Sequence, residues 1–271
     1  MQRLFFLSIL AVALTACSSD PTSEVNPPAT RPITVEATER PLADSDPAAR
    51  ETRADVVTAA SISSFKMYGA ETTYEATRSG SRWTANPGYW PLVDETQTVD
   101  FYGYSTGTLN NADSDPYISV TMDENLAQLS DVLVAKASAS YEAQGGMVTL
   151  TFDHATAAVD FTVRKTVDKT IVLKSLRLTD VCKQGEYHFG VDRWTNVAAS
   201  TYYTLTTADM TLSTEPQALA AGTLFFIPQT LGTLQITVAV DGIERSGSLR
   251  LDKPIEAGKR YPIHIELGRG L

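Results

Sequence analysis

Apolar side chains in this chain recur at every second position, in short runs that turn-forming residues separate. Phe65 and Met67 alternate with Ser64 and Lys66. Leu234, Ile236, Val238 and Val240 alternate with Gln235, Thr237 and Ala239, and Tyr261, Ile263, Ile265 and Leu267 repeat the pattern. A period of two places successive side chains on opposite faces of a strand, whereas one face of a helix needs a period of 3.6. Such runs return at roughly 8–12-residue spacing with no long helical stretch between them, which predicts an all-β sandwich architecture. Two successive blocks suit two sandwiches, residues 54–167 and 168–271, with Thr166-Val167-Asp168-Lys169 as the step between them. One larger sandwich is the alternative.

Several segments carry more specific expectations. Asn86-Pro87-Gly88 reads as a turn before Tyr89-Trp90-Pro91. Asp123 to Leu129 is the one plausible helical turn. Asp131 to Lys136 is nearly continuous in apolar residues, as for a strand buried on both faces. Gly145-Gly146 opens what reads as the clearest hairpin, with Met147 to Phe152 passing through Asp153-His154-Ala155 into Ala157 to Val163. Val148, Leu150 and Phe152 share one face, and Val159, Phe161 and Val163 share another. Asp241-Gly242 is a two-residue hairpin turn. Ile243, Arg245, Gly247, Leu249 and Leu251 follow it in phase.

The first 53 residues differ from the rest. Met1 to Ala16 joins a basic start at Arg3 to an apolar run, LFFLSILAVALTA. A permanent membrane helix needs about 20 apolar residues, so this run fits a secretory signal peptide instead. Leu14-Thr15-Ala16-Cys17 has the form of a bacterial lipobox, which places cleavage between Ala16 and Cys17 and diacylation on Cys17. Each buried acyl CH₂ contributes about 0.8 kcal/mol, so two chains make a stable anchor. Ser18 to Pro32 is rich in proline and poor in large apolar residues, and reads as a tether. Ile33-Thr34-Val35-Glu36-Ala37 then alternates briefly as a strand does. Arg31 and Arg40 precede proline, a poor context for proteolysis; Arg50 and Arg53 do not.

Composition removes other function classes. The 271 residues carry a net charge of −10, the wrong sign for a nucleic-acid footprint. With Cys17 acylated, Cys182 has no intramolecular partner and reads as a buried small apolar residue in a strand. His154, His188 and His264 lack the close pair spacing of a metal site. The Asn111, Asp113 and Asp115 cluster lacks the glycine and terminal glutamate of a calcium loop. Asp94 with Glu95 and Asp123 with Glu124 read as solvated loop charge. No phosphate loop, nucleophile elbow or HExxH occurs. The expectation is therefore a non-enzymatic protein with no cofactor and no metal. Trp83, Tyr89, Trp90 and Trp194 are the residues a glycan-binding surface lipoprotein would use for stacking, although as core residues they need no ligand.

The chain resembles the fimbrillin family of Bacteroidetes, the pilins of type V fimbriae. The resemblance runs through LTAC at Cys17, Thr52-Arg53-Ala54, Phe65-Lys66-Met67-Tyr68, Tyr89-Trp90-Pro91 and Val99 to Tyr104. It continues through Asp131 to Ala135, Leu150-Thr151-Phe152-Asp153-His154-Ala155, Phe226-Ile227-Pro228-Gln229 and Gly258 to Tyr261. It implies two tandem transthyretin-like Greek-key β-sandwich domains. It also implies export as an outer-membrane lipoprotein, followed by cleavage by an arginine-specific protease. Mapped onto this chain, cleavage falls at Arg53-Ala54, with Arg50-Glu51 second. The removed strand is Ile33 to Ala37, and a strand from another fimbrial subunit fills its place to build a cell-surface fimbria with a role in adhesion to host or bacterial surface ligands. In that family the C-terminal region of stalk subunits is the donor. If Arg260 to Leu267 is needed at home, a tip position fits better than a stalk position.

Overall fold

The computed structural model describes residues 31–45, 58–59, 61–111, 115–123, 130–198, 201–206 and 208–268. In chain order the strands begin with β1 (Thr34–Glu39), β2 (Ala43–Asp44), β3 (Thr58–Ala59), β4 (Ser64–Gly69), β5 (Thr72–Ser79), β6 (Arg82–Asn86) and β7 (Val99–Tyr104). Then come β8 (Thr108–Asn110), β9 (Tyr117–Thr121), β10 (Leu133–Ala139), the single-turn helix α1 (Tyr141–Gln144), β11 (Met147–His154), β12 (Ala157–Lys165), β13 (Ile171–Val181) and β14 (Gln184–His188). The last are β15 (Arg193–Ala198), β16 (Thr201–Thr206), β17 (Met210–Thr211), β18 (Gln217–Phe226), β19 (Gln229–Val240), β20 (Ile243–Ile255) and β21 (Lys259–Leu267). The fold is all-β.

Two apolar cores account for most of the buried side chains. The first is enclosed by strands in the order β3-β1-β11-β10-β7-β4-β5-β6. This path curls until β1 touches β6. Inside it, Phe65 packs on Trp83 and Phe152 with ring centroids 4.8 and 4.9 Å apart, and Trp90 meets Phe101 at 5.2 Å. Aromatic pairs of this kind add about 0.5–1.5 kcal/mol beyond their burial. The second core lies between β16-β13-β19-β20 and β18-β12-β21-β2. A smaller cluster, including Tyr104, Ile118, Val134, Tyr187 and Phe189, lies under the sheet β15-β14-β9-β8. That sheet joins strands from both sides of residue 168. β10 explains its unbroken apolar run this way: Leu133 and Ala135 enter the first core and Val134 the third.

The segment expected to form the clearest hairpin does not form one. β11 pairs with β1 and β10, while β12 pairs with β18 and β21. Val148, Leu150 and Phe152 line the first core, and Ala157, Val159, Phe161 and Val163 line the second. The physical reason is local. A tight hairpin needs residues that tolerate positive φ at its turn, and Ala155-Thr156 offers none, so the chain passes onward from one sheet to another.

Three smaller features also differ from the expectation. The helical turn is α1, capped by the Ser140 side chain on the Ala143 N–H; residues 124–129 lie outside the described residues. Cys182 is half-buried and free, just past the end of β13, with its N–H donated to Gln229 at 2.9 Å. On β20, Ile243 and Leu249 stand opposite Val240 and Leu234 and so share the core-facing side, yet they are 64% and 46% exposed. The opposing sheet does not extend over this edge strand.

Candidate functional site

Residues 31–45, ahead of the first block, are built into the fold. β1 lies parallel to β11, in register from Thr34↔Met147 to Glu39↔Phe152, and pairs on its other side with β3. Alternation then decides which side chains go inward. Ile33 and Val35 are 9% and 3% exposed, and Ala37 packs on the same core. The start of the strand is tied at both flanks. The Ile33 N–H donates to the Gly88 carbonyl at 3.3 Å, Thr34 N–H to Gly146 at 2.9 Å, and Trp90 N–H to the Arg31 carbonyl at 2.7 Å. Gly146 adopts φ +81, and a Cβ there would collide with the Pro32 carbonyl oxygen. Glycine is required at this close approach.

Side chains fasten the same segment. Arg31 donates to the Val93 carbonyl at 2.6 Å and lies 5.5 Å over the Tyr141 ring. The Glu39 carboxylate accepts from the Ser61 N–H and hydroxyl, both at 2.7 Å. Arg40 Nη1 donates to both oxygens of Asp153 at 2.6 and 2.7 Å. The chain then crosses to the second core's sheet. Arg40 N–H donates to Phe152, Ala43 N–H to Gly258 at 2.8 Å, and Ser45 N–H to Arg260 at 3.0 Å. β2 accordingly runs parallel to β21 through Ala43↔Lys259 and Asp44↔Arg260.

His154 lies where the leader crosses, only 8% exposed. Its Nδ1 is hydrogen-bonded to Asp131 Oδ2. Its Nε2 is 2.8 Å from the Arg40 carbonyl oxygen and 3.7 Å from Glu39 Oε1. The other Asp131 oxygen accepts from the Thr156 hydroxyl at 2.5 Å, and that hydroxyl accepts from the Val132 N–H. Burial by itself disfavours the charged ring. The Asp131 carboxylate, the Arg40 carbonyl and the Glu39 charge together outweigh it, so the pKa is raised above the ordinary histidine value. Beside the cluster is a cavity of about 840 Å³, whose walls include Arg40, Thr151, Asp153, Tyr187 and Trp194.

Sequence-expected residues fall on this geometry unevenly. Ile33, Thr34, Val35, Glu36 and Ala37 occupy the β11 edge. Ala16, Cys17, Arg50, Glu51, Arg53 and Ala54 lie outside the described residues. Trp83 and Trp90 are core residues, 8% and 1% exposed. Tyr89 is 38% exposed. Trp194 stands at the cavity with its Nε1 donating to the Ala155 carbonyl at 2.6 Å. Asp115 is engaged by His188 and the Gly190 N–H, both at 2.9 Å; Asp113 lies outside the described residues. Among the described residues no group of three or more His, Cys, Asp or Glu is placed to hold a metal, and no helix is long and apolar enough to cross a membrane. The grouping of Asp131, Glu39 and Arg40 around His154 was not anticipated. The one available signal was a histidine next to Asp153 at the end of a strand whose alternate residues Val148, Leu150 and Phe152 are apolar.

The fold is shared with solved structures of Bacteroides proteins described as fimbrial or cell adhesion proteins. It matches a fimbrial protein from Bacteroides vulgatus ATCC 8482 with a TM-score of 0.57 at 16% identity, over 88% of this chain and 95% of that one. It also matches a proposed cell adhesion protein from Bacteroides ovatus ATCC 8483, with a TM-score of 0.54 at 14% identity, over 89% and 94%. At these identities the likeness is one of fold. The fimbrillin-like family model matches residues 48–271, and the chain belongs to that family. No curated protein matches this sequence.

Proposed function

We propose that this protein is a fimbrial subunit of the cell surface whose leader acts as a removable strand. The observation that carries the reading is the seat of residues 33–39, which fill the β11 edge with Ile33, Val35 and Ala37 turned into the first core. In this reading Cys17 is the acylated anchor in the outer membrane, residues 17–53 form the tether and pro-strand, and an arginine-specific protease cuts at Arg53-Ala54 or Arg50-Glu51. Loss of β1 would uncover unpaired backbone groups and an apolar slot, both costly in water. A strand from another subunit would satisfy both by β-addition, and a head-to-tail contact of this kind grows without closing. The body is read as two sandwich domains, one around each large core. Its role is structural and non-enzymatic, in adhesion.

A tip position suits it better than a stalk position. β21 is paired to β12 along its length from Arg260 to Leu267, and it buries Tyr261, Ile265 and Leu267; giving it away would open the second core. The test is a chain with Arg50→Ala and Arg53→Ala, treated with an Arg-specific protease. The expected result is a lipid-anchored monomer, against ladder-like oligomers from the unaltered chain; no ladder from the unaltered chain in the presence of other subunits would overturn the reading. A glycan-binding surface lipoprotein is the second reading, favoured by Trp194 and Tyr187 at the cavity, and it predicts indifference to both substitutions.

A further inference from the structure

A neutral imidazole has one N–H and one lone-pair nitrogen, so it needs one acceptor and one donor as partners. His154 has acceptors on both sides: the Asp131 carboxylate at Nδ1, and the Arg40 carbonyl at Nε2 with the Glu39 carboxylate near it. Only the imidazolium, with two N–H groups, satisfies both. Thr156 holds the far oxygen of Asp131, which keeps that carboxylate from swinging away. The charged groups facing the ring are therefore Asp131, from the segment ahead of β10, and Glu39, from β1. The Arg40 guanidinium is taken up by Asp153. From the turn after β20, the Gly258 N–H donates to the Thr156 carbonyl.

We propose that His154, as an imidazolium clamped by Asp131, is the residue that recognises the segment lying on β11. It reads an acidic side chain followed by an inward-facing backbone carbonyl, here Glu39 and Arg40, and it loosens that grip on deprotonation. The ligand class is an extended peptide with apolar side chains at alternate positions that ends in this acid-then-carbonyl signature. The signature fixes the register, because a slip of one residue would bring Thr38 or Arg40 in place of Glu39 and turn Ile33 and Val35 outward. The inference rests on the leader's seat in the folded chain, and it holds whether or not the leader is later removed.

Hydrogen exchange of residues 31–45 in the full chain, measured by mass spectrometry and corrected for the intrinsic rate, tests it. Protection of this segment should fall about tenfold as pH rises from about 5.5 to about 8.5, the range across which a histidine loses its charge. His154→Gln should give low protection with no such pH profile. Glu39→Gln should keep the profile and move its midpoint to lower pH. Protection that does not vary with pH in the unaltered chain overturns the proposal. So does an unaltered profile in His154→Gln, and if that variant does not fold, an unmoved midpoint in Glu39→Gln overturns it equally. A histidine that merely filled space would lower protection on replacement without creating or abolishing any pH dependence.

Discussion

Single residues decide whether the leader stays in place. Val35 is almost fully buried, so Val35→Ala should destabilise the chain by about 1–3 kcal/mol through lost burial and a cavity, read as a lower urea midpoint. Thr156 is wholly buried and bonded on two sides. Thr156→Val keeps the shape and removes both bonds, and should cost about 1–3 kcal/mol in the same assay. Because the folded-state pKa of His154 is raised, its contribution is complete below the unfolded-state value and is lost as pH rises through the folded-state value. Stability measured across that range should decline on the alkaline side, and His154→Gln should lack this decline. None of this cluster was legible in the sequence. Asp131 and Arg40 lie 23 and 114 positions from His154, and periodicity carries no information about side chains that meet across such separations.

At the scale of elements, alternation located β1, β4, β11, β12, β19 and β21 because each has one face in a core. It did not say which strands pair. β11 and β12 show the limit: each alternates as a hairpin strand would, yet each alternation points into a different core. β20 shows another, since Ile243 and Leu249 keep the phase of a buried face that nothing covers. Pairing across elements can also be probed electrostatically. Asp160 on β12 accepts from Arg260 on β21 at 2.5 Å and from Thr223 on β18 at 2.6 Å. Burial raises its pKa, but these bonds outweigh it and the net shift is downward. Its contribution is present above the unfolded-state pKa and fades as pH falls through the folded-state value. The group is substantially solvated, so Asp160→Asn should cost no more than about 1 kcal/mol, seen as a small drop in urea midpoint that vanishes in acid.

For the whole molecule, the all-β class was readable from the period alone. The arrangement of cores was not, because it depends on where one extended stretch changes sheets. That change occurs at Ala155 and Thr156, 2% and 0% exposed. The Ala155 N–H is given to Val132, and the Thr156 carbonyl accepts from Gly258. Both cores should therefore lose structure in one transition, with coincident fluorescence and circular-dichroism curves on urea titration; two separated transitions would contradict this. In mechanical terms the link is a splice, not a hinge. It has no solvated residue in which to bend, so tension applied to one core passes along the covalent backbone of β11 directly into β12. A fibre carrying this unit would flex at its contact with the next subunit before it flexed here.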